Sequence, residues 1–149
     1  MRAKSGKPLA RYFPEVAALL SGLPPGRFVL DGELVITVGR TFSFDALQMR
    51  LHPAESRITK LAVETPANSI VFDLLATEGA ANLLHAPLFE RRLALESFFQ
   101  SAEQNDSLVL PHYTRRTEKA RDWLETSSAT IDGVITKRRD GPYEPGSAL

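Results

Sequence analysis

The sequence contains no cysteine, only two methionines and one tryptophan, and no excess of charge of either sign. Without cysteine there are no disulfide staples and no thiolate metal sites, so stability must come from a packed core, and a cytoplasmic protein is the default expectation. No apolar run approaches the roughly 20 residues needed to cross a bilayer. The opening MRAKSGKPLARYF also lacks the apolar centre of a signal peptide. No membrane association is expected. Lysine plus arginine and aspartate plus glutamate balance at 18 each, which argues against a dedicated nucleic-acid coat. A local basic patch remains available from Arg11, Arg50, Arg57, Lys60, Arg115, Arg116, Lys119, Lys137, Arg138 and Arg139. His52, His85 and His112 stand alone, without the spacing of metal ligands. What is present suits a single domain: 149 residues of which 43% are hydrophobic, enough to bury about two-thirds of the unfolded surface.

No internal repeat or low-complexity linker interrupts the chain. FPEVAALLSGL (13–23) reads as a short helix with Pro14 in its first turn and Gly22 at its end. RFVLDGELVITV (27–38) is rich in β-branched and aromatic residues and should be extended, with Gly32 allowing a bulge or a close approach. FSFDALQMRL (42–51) and the stretch after Pro53 (to 66) read as helices. NSIVFDLLAT (68–77) reads as a central strand. PLFERRLALESFF (87–99) reads as a helix whose apolar stripe runs through Leu88, Phe89, Leu93, Leu95 and Phe99. SLVLP (107–111) and IDGVITK (131–137) read as strands, and TEKARDWLETS (117–127) as a helix. Strands and helices mix without regular βαβ alternation, so an α+β domain with a largely antiparallel sheet is expected.

Three of these extended segments carry acids: VLDGELVI (Asp31, Glu33), IVFDLLA (Asp73) and IDGVITK (Asp132). A buried carboxylate is costly unless it meets a cation, a metal, N–H donors or solvent. Asp31 and Glu33 are two apart and share one face of a strand. If the strands are neighbours, several carboxylates converge near Lys137, an arrangement suited to magnesium holding phosphate oxygens. Each acid also has a plainer reading, as a turn acid or an ion-pair partner. Phe72 has one too, as a core residue, and Lys137-Arg138-Arg139 as a solvated basic turn.

Read in order, the segments resemble the nucleotidyltransferase (adenylation) domain of ATP-dependent DNA ligases, especially the small bacterial accessory and end-joining enzymes. KSGKPLARYFPE (4–15), VLDGELV (29–35), FDALQMRLHPAESR (44–57), SIVFDLL (69–75), LFERRLALE (88–96) and IDGVITKRRDGPYEPG (131–146) carry the resemblance over residues 1–149. It implies an ATP-grasp-like fold with flanking helices, ATP or AMP with magnesium as ligands, and nicked double-stranded DNA as partner. In that family a lysine attacks the α-phosphate of ATP, AMP passes to the 5′-phosphate at the nick, and the 3′-hydroxyl closes the break. By resemblance, Glu33 contacts ribose or helps to place metal, and Phe72 stacks on adenine. Asp132 is a metal carboxylate and Lys137 binds phosphate. Lys4 stands where the family usually has arginine, keeping the charge but losing the planar fork.

The family's nucleophile lies in a Lys-x-Asp-Gly motif about two dozen residues before the segment at Lys4, and the sequence contains no such motif. Lys137-Arg138-Arg139-Asp140-Gly141 imitates it with one residue too many. The expectation is therefore an incomplete adenylation domain, without the nucleophile segment, the last lysine motif or the OB-fold domain, and inactive on its own. A second chain supplying the missing segments, a non-catalytic nucleotide- or DNA-binding module, and an interaction protein using exposed sheet edges are the alternatives.

Overall fold

Two eleven-residue strands, β1 (Phe28–Val38) and β3 (Ala67–Thr77), pair antiparallel from Phe28–Thr77 to Ile36–Ala67 and carry everything else. The computed structural model describes residues 1–24, 26–51, 54–78, 82–102, 105–126 and 133–145. Around the two long strands are α1 (Pro14–Ser21), β2 (Thr41–Phe42), α2 (Phe44–Gln48), α3 (Glu55–Glu64), α4 (Leu88–Ser101), β4 (Leu108–Val109) and α5 (Thr117–Thr126). The sheet order is β2-β1-β3-β4, antiparallel except for the β3–β4 pair. The α+β expectation with a largely antiparallel sheet holds. β2 escaped the sequence reading because it is two residues long. It returns from β1 through Gly39-Arg40, where Gly39 has φ +65°, the conformation a two-residue hairpin demands.

One face of the strand pair carries the apolar core. Phe13, Val16, Ile36, Ala46 and Ala67 form one apolar cluster, and Val71, Leu74, Leu95 and Leu108 form a second, with Leu20 packed against both. Gly32 lies where β1 comes closest to β3. A Cβ there would sit 2.3 Å from the carbonyl oxygen of Ile70, so only glycine fits without moving backbone.

Three expectations change. The stripe on α4 keeps Leu95, which is fully buried, but Leu93 is 62% exposed and the other buried residue of the helix is Arg91. Arg50 leaves the basic surface, being wholly buried. It donates to the carbonyls of Tyr12 and Thr65 and, at 2.9 Å, to the Glu15 carboxylate, which also accepts the Ala67 N–H. One guanidinium thus ties α1 to the ends of α2 and α3 and to the start of β3. Finally, of the strand expected over 131–137, residues 131 and 132 lie outside the described residues and 133–137 form an exposed irregular segment, since no described strand lies beside them to complete a ladder.

Arg91 explains why a charged residue occupies the buried side of α4. Its guanidinium grips Asp73 with two parallel bonds, Nε to Oδ1 at 2.9 Å and Nη2 to Oδ2 at 3.0 Å. Nη1 donates to the carbonyls of Ala86 and Gly141. Pro87, the residue before α4, caps no N–H with a side chain. Instead the Leu88 and Phe89 N–H groups donate to the carbonyls of Gly141 (2.9 Å) and Arg139 (3.1 Å), satisfying donors that a helix start leaves orphaned. The same loop places Arg139 4.9 Å over the Phe89 ring and sends the Tyr143 hydroxyl to Asp31 Oδ2 at 2.9 Å. The far end of the sequence is clamped onto β1 and β3.

Replacing Arg91 by leucine leaves Asp73, 2% exposed, without its counter-charge, a change that costs about 3–5 kcal/mol. Urea unfolding should show a loss of that size, and a loss under about 1 kcal/mol would contradict the clamp. Tyr143 gives a pH signature. Burial first, then the bond to Asp31 and the negative charges of Asp31 and Asp73, push its pKa up from 10.0 to about 12, with Arg91 opposing. A raised acid constant means that its contribution is complete below the unfolded value and is lost as pH climbs through the folded one. Tyr143→Phe should therefore lower stability by roughly 1–2 kcal/mol near neutrality. That gap should close between about pH 10 and pH 12; a gap constant through pH 12 would contradict the assignment.

Candidate functional site

The side chains of β1 divide by face. Leu30, Leu34 and Ile36 pack into the apolar clusters, so Asp31 and Glu33 lie on the other face. Residues paired across a ladder share a face, and the register pairs Asp31 with Asp73 and Glu33 with Ile70. Two carboxylates directly opposite one another repel, which explains the partners each has acquired. Asp73 is neutralised by Arg91, and Asp31 accepts from Tyr143.

Glu33 differs from both. It is exposed, and among the described residues its carboxylate makes no hydrogen bond or ion pair. Phe72 lies between Val71, which pairs with Gly32, and Asp73, which pairs with Asp31, so it has no partner in the ladder. The irregularity there is a bulge, the kind of feature that re-aims a side chain. Phe72 is half-buried and belongs to neither apolar cluster. Of the sequence-predicted site residues, then, Glu33 and Phe72 lie on adjacent strands, Phe72 two residues from Ile70, the ladder partner of Glu33.

The other candidates are placed less tightly. Lys4 is exposed in a turn closed by the Ala3 N–H to the Lys7 carbonyl and by the bridge between Arg2 and Pro8. Lys137 is exposed on the irregular segment, six residues before Tyr143. Neither lysine has an ion pair among the described residues. Asp132 lies outside the described residues. Among the described residues there is no group of three or more acids or histidines able to hold a metal, and the expected convergence of carboxylates includes Asp132, which lies outside them. The pseudo-motif at Lys137 is engaged otherwise, with Arg138 paired to Asp140 at 3.2 Å.

Arg91 and Tyr143 are the positioning residues the sequence reading passed over. The signal for Arg91 was present. A lone acid in an apolar strand demands a cation, and ERR in the following helix supplies two. Tyr143 had no comparable signal, because its role depends on a loop folding back across the chain. A cleft of about 320 Å³, open to solvent, is lined by Phe28, Leu74, Ser97 and Phe98 at the Phe28–Thr77 end of the β1–β3 pair, away from Glu33. No helix among the described residues is long and apolar enough to cross a membrane.

Comparison with known proteins gives this geometry its relatives. A family model described as an ATP dependent DNA ligase domain matches residues 2–148. DNA ligase C2 of Mycolicibacterium smegmatis is 43% identical over 145 residues, a match covering 96% of this chain and 40% of that protein. DNA ligase C of Mycobacterium tuberculosis is 39% identical over 146 residues, covering 96% and 40%. The chain thus spans about two-fifths of the length of these relatives. Among solved structures, the ligase domain of M. tuberculosis LigD aligns with a TM-score of 0.74 at 28% identity, covering 97% of this chain and 42% of that one. A mycobacterial DNA ligase D complexed with ATP and MES aligns with a TM-score of 0.70 at 27% identity, covering 97% and 43%. Motif order, fold and relatives agree, and the chain belongs to the ATP-dependent DNA ligase domain family.

Proposed function

We propose that residues 1–149 are part of the adenylation domain of an ATP-dependent DNA ligase, contributing to the seal of nicked double-stranded DNA in repair or recombination. The observation that carries the reading is the contrast among the strand acids. Asp31 and Asp73 are committed to internal partners, while Glu33 is left open to solvent beside Phe72. A core built only for stability gains nothing from leaving that carboxylate unmatched. A ligand face does.

In this reading Phe72 stacks on adenine and Glu33 faces the ribose. Lys137 reaches a phosphate, and Lys4 provides a second cation as a point charge rather than a two-pronged donor. Glu33 with Asp132 would hold magnesium, and the ion's chemistry there would be to neutralise charge on phosphate oxygens. The exposed, unpaired carboxylate of Glu33 suits such an ion, which keeps most of its waters and needs only one or two protein ligands. The Arg91–Asp73 clamp does not touch the nucleotide. It fixes the loop that carries Lys137. The 149-residue polypeptide contains no Lys-x-Asp-Gly motif, so by itself it binds nucleotide without forming a covalent adduct, covalent transfer having no attacking group.

Titration calorimetry with ATP should detect binding to this polypeptide, weakened about 5- to 150-fold in Phe72→Ala, the loss of one aromatic–base stack. Equal binding by the variant, or none by the parent, would contradict the site. Incubation with labelled ATP and magnesium followed by denaturing electrophoresis should leave the chain unlabelled. A labelled band at its mass would overturn the non-covalent reading.

A further inference from the structure

We propose that Tyr143 governs how strongly the site prefers a nucleotide to its nucleoside, acting through Lys137. The inference rests on the reading above in taking Lys137 as the phosphate cation, and it adds the residue that keeps that cation available. Asp31 and Glu33 stand on one face of β1, and Asp31 is paired with Asp73 across the ladder. Each of the two aspartates needs a donor. Asp73 has the Arg91 guanidinium, and that pair is buried. Asp31 is half-buried and takes the Tyr143 hydroxyl at 2.9 Å instead. A cation would satisfy Asp31 as well, and Lys137 lies only six residues before Tyr143 on the same loop. That lysine is exposed and has no ion pair among the described residues. An uncharged donor therefore occupies the carboxylate that would otherwise compete with a phosphate for the ammonium.

The loop is built to deliver that hydroxyl. The Gly141 N–H donates to the Arg138 carbonyl at 3.2 Å and closes a turn immediately after Lys137. The Arg139 and Gly141 carbonyls accept from Phe89 and Leu88, and the Tyr143 N–H donates to the Leu84 carbonyl. These bonds tie the loop to the start of α4 and the residues before it. The Tyr143 hydroxyl ties it to β1, the strand that carries Glu33. The Arg91 guanidinium lies 5.8 Å from the centre of the Tyr143 ring, so phenylalanine at this position keeps the ring contact and the backbone bond and loses the hydroxyl alone. Burial first, then the bond to Asp31, push the hydroxyl pKa up to about 12. It remains a neutral donor throughout the neutral range.

Titration calorimetry at neutral pH with adenosine and with ATP separates the two parts of the ligand. The readout is the ratio of the two affinities, compared among the parent 149-residue chain, Tyr143→Phe, Lys137→Ala and the double variant. Each single variant should cut the ratio about fivefold or more, the scale of a lost hydrogen bond to a charged group. In Tyr143→Phe the fall should lie in ATP affinity, with adenosine bound as before. The double variant should lose no more than Lys137→Ala alone, because the tyrosine acts through that lysine. A ratio unchanged in either single variant, or losses that simply add, would overturn the proposal while leaving the adenosine site standing. So would a parallel fall in adenosine and ATP affinity in Tyr143→Phe, the mark of a bond that serves stability only. A parent that binds neither ligand contradicts the nucleotide site itself, and this inference falls with it.

Discussion

The bidentate pair between Asp73 and Arg91 is the contact on which the rest of the molecule depends. Both partners are almost wholly buried, so neither can be left alone without the full cost of an uncompensated charge. The pair locks α4 against β3 at a position where an apolar contact would have served for stability. What an apolar contact could not do is reach further. The third donor of the same guanidinium holds the Ala86 and Gly141 carbonyls, so the ion pair simultaneously orients a helix start and seats a loop far away in sequence. Arg50 plays the matching part at the other end of the β1–β3 pair. Two buried arginines, each binding carbonyls and a carboxylate, fix the frame from opposite ends.

That frame sorts the acids of the strands by function. Packing Asp31 opposite Asp73 creates a repulsion that Arg91 and Tyr143 relieve, and the relief is what draws the loop of residues 139–143 onto β1. Glu33, two residue pairs along, is spared a partner. The division follows from register. The bulge at Phe72 shifts the pairing between Asp31 and Gly32, and Gly32 lets the strands close to a distance that any Cβ would prevent. The Asp-Gly-Glu triplet is thus one structural acid, one spacer and one available carboxylate.

The sequence made the scaffold legible where local chemistry and burial agreed. β1 and β3 announced themselves through β-branched and apolar runs, and α1 through Pro14. It misjudged α4 because a periodicity argument treats arginine as a surface residue. Leu93 therefore seemed to belong to the core and Arg91 did not, when only the need of Asp73 for a cation could say otherwise. IDGVITK (131–137) reads as a strand from its composition, but its described part, residues 133–137, is irregular; strand formation is a property of pairs, and one sequence segment does not reveal whether a neighbour is present. Glu33 and Phe72 were visible through motif order. Their proximity was not, since it hangs on register set by a bulge.

The account turns on the clamp, and native-state hydrogen exchange reads it directly at three amides. The N–H groups of Leu88, Phe89 and Tyr143 donate to Gly141, Arg139 and Leu84. If Arg91 and Tyr143 truly seat this loop, these amides are protected to within about tenfold of those in the middle of β3, opening only with the frame. Exchange of all three near the rate of free peptide, with β3 still protected, would mean that the loop comes and goes independently of the ion pair, and the account would fail.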